Sequence, residues 1–298
     1  MTWIALAVVY VVWGSTYFAI ALVVQTMPPL FTAGVRQLIA GAIVALWVVA
    51  RQRDAFRLSR RELLAAALTG TLLLAGGNGL VMVGERTVPS GLAALIIASV
   101  PLWLVVLRMA SGERVGAGVL AGVGLGIVGV AILVVPSGIS GAIDPLGLLA
   151  IIGATFSWSI GTFLSPRLGL PRSVLASSAL QQLAAGVVLL VAGIAAGERP
   201  DPSRFSLSSL VALGYLIAFG SLAAYSAYTW LLQNASVSLV STYAYVNPVI
   251  AVFLGTMFLS EPLSTTTIAG AALIIVAVAF IVTRTAAVRR AARAARAA

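Results

Sequence analysis

Ten apolar runs follow one another with little chain between them, each close to the length of about 20 residues that a helix needs to cross a hydrocarbon layer about 30 Å thick. They are Thr2 to Val24, Phe31 to Ala50, Leu63 to Val83, Ser90 to Met109, Val115 to Val135, Leu146 to Leu164, Ser173 to Ala196, Leu207 to Leu232, Val237 to Leu259 and Thr265 to Thr283. Ten spans take up about 200 residues, so a chain of 298 keeps loops and tails but no separate soluble domain. Charge is scarce to match: 18 arginines and 8 acids, 9% of the chain, against about 25% in soluble domains. The predicted fold is therefore all-α and integral to the membrane, with the lipid bilayer as its solvent. The first run has no basic leader and exceeds the roughly 7–15 apolar residues of a signal peptide, so it reads as span 1.

Missing residue types remove whole chemistries. The sequence contains no Cys, His or Lys, which excludes thiolate and imidazole metal sites, disulfides, thiol nucleophiles, imidazole bases and Schiff bases. No metal and no cofactor are expected, and nothing resembles the nucleophile–base pair of an intramembrane enzyme. The net charge of +10 suggests nucleic acid, but nucleic-acid modules gather cations on a soluble face, whereas these arginines sit between apolar runs. No nucleic-acid partner is expected.

The arginines instead set direction. With the N-terminus inside, the inner loops and tail hold fourteen of them, from Arg51 to Arg296, and the outer loops hold Arg86, Arg199 and Arg204. Cytoplasmic loops retain arginine, so both termini are expected in the cytoplasm. The Arg-Ala run over 285–298 reads as a solvated basic tail, with a lipid-binding arm as the alternative.

The two halves repeat. Trp13 to Phe18 (WGSTYF) meets Trp158 to Phe163 (WSIGTF) at a displacement of 145, and Gln37 to Gly41 meets Gln182 to Gly186 at the same displacement. Farther on, Pro101 corresponds to Pro248, Glu113 to Glu261 and Gly122 to Gly270, displaced by 147 or 148. The reading is a first repeat over 1–137, a linker over 138–145, a second repeat over 146–284 and a basic tail over 285–298. Five spans per copy is odd, so the second copy enters the membrane from the other side. Such inverted repeats exchange conformations around a central site and favour an alternating-access carrier.

Two five-span repeats, Trp-Gly-Ser in span 1, Pro28-Pro29 followed by Arg36 in span 2, and Glu113 and Glu261 closing spans 4 and 9 together resemble the EamA-type branch of the drug/metabolite transporter superfamily. The chain looks most similar to its amino-acid exporters. The resemblance implies a bacterial inner-membrane carrier moving small metabolites outward, with a cavity lined by spans 1, 3, 4, 6, 8 and 9 and with spans 5 and 10 used for packing.

Depth selects the candidate site. Trp13 lies about 16 Å into span 1, near the midplane, where interfacial anchoring does not explain a tryptophan, and Trp158 is its counterpart. Trp13 with Tyr17, Trp158 with Thr162, Ser99 with Trp103 and Ser241 with Tyr245 are each four apart and share a helix face. A substrate cavity and ordinary packing of hydroxyls between helices both fit these pairs. Asn78, Tyr225, Tyr228 and Asn247 are the further polar candidates. Aromatic walls suit a small neutral or zwitterionic molecule, amino acids included, and the absence of a midplane carboxylate disfavours strongly cationic drugs. Other small metabolites or drugs remain the alternative cargo, and a non-catalytic sensor the alternative class. Arg36 is the intramembrane charge, read as gate, substrate anchor or structural group. Pro101 and Pro248 are read as hinges or fixed kinks, and Gly118, Gly122 and Gly126 as a packing seam. The oligomeric state stays open, a monomer being compatible.

Overall fold

Helix starts are written locally. Ser59 opens a capping box, accepting from the Glu62 backbone N–H at 3.2 Å while its own backbone N–H donates to Glu62 Oε2 at 2.8 Å; Asp144, Ser173 and Ser206 also cap the helices that follow them. Each cap satisfies a backbone donor that the helix itself leaves unpaired. The computed structural model describes residues 1–139, 144–240 and 242–297. Its helices are α1 (Thr2–Val23), α2 (Pro29–Arg51), α3 (Arg60–Gly84), α4 (Ser90–Ala110) and α5 (Ala117–Ile139). They continue as α6 (Pro145–Leu164), α7 (Val174–Ala195), α8 (Leu207–Asn234), α9 (Val237–Val240, then Tyr243–Leu259) and α10 (Thr265–Ala297).

Among the described residues, seven helices are long and apolar enough to cross a membrane: α1 to α4 and α6 to α8, the α6 span continuing to Arg167. The apolar stretches of α5, α9 and α10 are shorter, Ala117–Ile132, Val246–Leu259 and Thr265–Ile281. The fold is all-helical, with no strand among the described residues. Residues 140–143 of the expected linker lie outside the described residues, as do the side chains of 285–298; the backbone of the tail continues α10 as far as Ala297.

Glycines set the closest helix contacts. A Cβ built on Gly34 would lie 2.8 Å from Leu190 Cγ, on Gly41 3.0 Å from Leu183 Cγ and on Gly186 2.7 Å from Leu38 Cγ. As α2 advances through 34, 38 and 41, α7 retreats through 190, 186 and 183, so the pair is antiparallel. The last two contacts are one contact with the roles exchanged, because 186 − 41 and 183 − 38 both equal 145. The seam on α5 behaves similarly: Gly122 faces Ile281 and Gly129 faces Ile274 on α10, again antiparallel, while Gly126 meets Leu102 of α4.

Two segments depart from α-helical winding. Thr71–Gly79 in α3 and Leu216–Ala224 in α8 are π-helical, nine residues each and 145 apart (216 − 71, 224 − 79). Such winding is uncommon beyond a single turn and gathers at functional sites.

Three helices end in a left-handed residue followed by glutamate: Gly112 (φ 84°) before Glu113, Gly197 (φ 75°) before Glu198 and Ser260 (φ 55°) before Glu261. The reversal swings each carboxylate off its own helix. Glu198 accepts from the backbone N–H groups of Leu30 and Phe31 at 3.1 and 2.6 Å, and Glu261 from those of Ser90 and Gly91 at 2.6 and 2.9 Å. Helices α2 and α4 start after Pro28 and Pro89, which offer no side-chain cap, so acids from distant segments supply it and complement the helix dipoles. At the opposite end of the bundle Glu113 receives Arg108 at 2.7 Å and Arg167 at 3.0 Å, and the Arg167 guanidinium lies 3.7 Å from the Phe163 ring centroid.

Candidate functional site

A central cavity lies toward the Met27 end of the bundle. From α1 it takes Trp13, Thr16, Tyr17 and Ile20, one face of one helix; from α2, Arg36; from α3, Gly77, Asn78 and Val81. The other wall is Ile97 of α4, Ala154 and Trp158 of α6, and Tyr243 and Asn247 of α9. It has room for water centres over about 40 Å³. One water needs about 10–15 Å³ by that measure, so this constricted state holds a few waters and no metabolite.

Aromatic rings close the cavity toward the Glu113 end. Trp13 meets Trp158 edge to face at 5.3 Å and 85°, Tyr243 at 5.5 Å and 87°, and Tyr228 at 4.8 Å. Tyr228 in turn touches Trp158 at 5.4 Å and Tyr243 at 6.1 Å. Edge-to-face contacts at these separations each contribute about 0.5–1.5 kcal/mol beyond area burial. The π segments seat the two tryptophans: Trp13 Nε1 donates to the Gly220 carbonyl at 3.4 Å, and Trp158 lies over Gly77, where a Cβ would come 2.6 Å from its ring.

Arg36 is 2% exposed. Its Nε donates to Ser221 Oγ at 2.9 Å on the π segment of α8, whereas its Nη1 is buried without a partner. Arg36 forms no ion pair among the described residues. An unmet buried donor costs about 1–3 kcal/mol, more when charged, so this group is suited to donate to an anionic or carbonyl oxygen of a bound molecule. Asn247, with its amide oriented by the hydrogen-bond network, donates to the carbonyls of Tyr10 and Tyr243 at 3.1 Å each.

The structure separates the sequence candidates. Trp13, Tyr17, Asn78, Trp158, Asn247 and Arg36 line the cavity. Tyr228 belongs to the ring cluster that closes it, and Thr162 reaches it only through a bond to the Tyr228 hydroxyl at 2.9 Å. Tyr225 is turned away, its hydroxyl donating to Gln181 Oε1. Ser99 bonds back to the Ile96 carbonyl at 2.7 Å, and Trp103 packs on Phe156 at 5.2 Å, because α4 breaks around Ala98 and Ser99 and presents Ile97 to the cavity instead. Ser241 and the side chain of Tyr245 lie outside the described residues. Pro101 is the second residue after the break in α4, and Pro248 lies within the long piece of α9. Thr16 and Tyr243 are cavity residues that sequence reasoning passed over; Tyr243 is signalled by its spacing of four from Asn247.

A model of the EamA-like transporter family matches residues 1–135 and again 145–283. The chain belongs to that family. The EamA-like chain is 42% identical to the uncharacterized inner membrane transporter YedA of Escherichia coli K12 over 261 residues, covering 87% of this chain and 83% of YedA. It is 28% identical to the uncharacterized transporter YvbV of Bacillus subtilis 168 over 306 residues, 98% and 94% of the two chains, and 28% identical to protein PagO of Salmonella typhimurium over 244 residues, 81% and 80%. One crystal structure superposes with a TM-score of 0.65 at 19% identity, covering 93% of this chain and 94% of that one, a likeness of fold. This EamA-like protein is a membrane transporter of small metabolites, not an enzyme.

Proposed function

We propose that the protein is an alternating-access carrier of small neutral or zwitterionic metabolites, amino acids with aromatic side chains among them, exporting them across a bacterial inner membrane through ten spans built as two inverted five-helix repeats. One observation carries the substrate reading: Arg36, whose buried Nη1 has no partner, lines a cavity walled also by Trp13, Trp158 and Tyr243. A carboxylate docks on the guanidinium, an ammonium faces the ring π-systems, and an apolar side chain packs on the indoles. Asn78 and Asn247 supply neutral polar contacts. The antiparallel α2–α7 and α5–α10 pairs support inversion, because each joins helices that correspond in the repeat. The name of the YedA relative supports the inner membrane, the arginine distribution supports cytoplasmic termini, and the resemblance to amino-acid exporters supports the outward direction.

The decisive experiment is counterflow in proteoliposomes with a panel of amino acids and other metabolites. Aromatic amino acids are expected to exchange, and Trp13→Ala and Trp158→Ala to lose them together. Exchange of quaternary cations in preference to amino acids overturns the substrate class.

A further inference from the structure

Glu85 follows α3 directly, at the Met27 end of the bundle. It is 6% exposed, and neither carboxyl oxygen has a hydrogen-bond partner. A buried carboxylate with no donor is far more costly than a buried carboxylic acid. Among the described residues no cation offsets it: Arg36 of α2 bonds Ser221, and Arg86, the next residue, points to solvent. The helices α4 and α6 that pack beside it contain no titratable residue within 90–97 and 145–164. The titratable groups that feel its charge are Tyr17 on α1 and Glu261 after α9. Glu261, which accepts from two backbone N–H groups of α4, disfavours a second negative charge beside it. Tyr17, which feels the charge of Glu85, and Val81, four residues before Glu85, both line the cavity.

The geometry points to Glu85 as a proton-binding site that must be filled for the Met27 end to stay closed. Burial first, and then the charge of Glu261, pushes its carboxyl well above the usual carboxylate range. Opening that end hydrates the group and returns it toward its ordinary value near pH 4.3. The closed state therefore binds the proton more tightly than the open one, and the sign follows: raising pH above about 4.3 and up to the raised value favours opening, by at most tenfold per pH unit for one proton. This rests on the carrier reading only in treating opening and closing as steps of transport.

The absence of native cysteines gives a clean test. Ala154→Cys places a reporter in the cavity and Ser203→Cys one on the exposed loop at the same end; maleimide labelling rates of the purified proteins, taken as a ratio, cancel the reagent's own pH dependence. The ratio is expected to rise several-fold between pH 5 and pH 8, to stay low and flat in Glu85→Gln, and to recover its slope in Glu85→Asp. A flat ratio with native Glu85, which needs no variant to fold, overturns the proposal, as does a slope that survives in Glu85→Gln. Counterflow on the same preparations separates the two readings: exchange with a flat labelling ratio leaves the carrier standing without the proton site, and a pH-dependent ratio without exchange does the reverse.

Discussion

At the scale of single residues the cavity sorts its side chains by what they lack. Arg36→Gln keeps a donor for Ser221 and removes the unpaired Nη1, so substrate affinity should fall about 10- to 100-fold, the worth of one hydrogen bond to a charged group at about 1.5–3 kcal/mol. Equilibrium binding checks this, with a thermal unfolding midpoint close to that of the native protein showing that the fold is kept. Tyr243→Ala should abolish counterflow as fully as Trp13→Ala, whereas Trp103→Ala, which removes a contact to Phe156 outside the cavity, should leave substrate affinity unchanged. An equal loss in all three would refute the boundary drawn around the site. The cavity positions of Trp13 and Trp158 were foreshadowed by midplane depth and that of Arg36 by its being an intramembrane charge, because the bilayer makes either conspicuous. Trp103 and Ser99 were not, since a helix break turns the face of α4 and no local signal before Pro101 fixes by how much.

The elements carry the second layer of information. Capping residues and apolar length locate most helix starts within a few residues, because both act within one turn. The π segments escape such reading: Gly77 and Gly220 mark them only in retrospect, since the side chains that pack against them, Trp158 and Arg36, come from other helices. Close packing of α2 on α7 is a matter of missing side chains. Gly186→Ala brings a Cβ to 3.0 Å from the Leu38 backbone nitrogen and Gly41→Ala to 3.0 Å from that of Leu183. Each should lower stability by about 1–3 kcal/mol, the usual cost of overpacking, and by similar amounts because the contacts are reciprocal. Thermal unfolding in detergent tests both the loss and its equality.

Across the whole molecule, the two ends are closed by different means. The Glu113 end has rings and a partly exposed Arg108–Glu113–Arg167 cluster, with side-chain exposures of 27%, 38% and 44%. Exposed pairs are worth about 0.2–1 kcal/mol, so Arg167→Gln should shift the closing equilibrium by no more than about fivefold, measured as labelling of a cysteine placed at that end. The membrane class was legible in composition, which the bilayer constrains along the entire chain, and the family in a resemblance carried by the Trp-Gly-Ser, Pro28-Pro29 and Arg36, Glu113 and Glu261 motifs of the two repeats. What no single stretch reveals is how the halves depend on each other. The N-termini of α2 and α4, made early, find their carboxylates in Glu198 and Glu261, made late. During synthesis the first half therefore enters the bilayer before the carboxylates that cap four of its backbone donors have been made. A fragment ending at residue 137 should be cleared by membrane proteases and rescued by co-expressing 138–298, so that maturation, like transport, belongs to the pair.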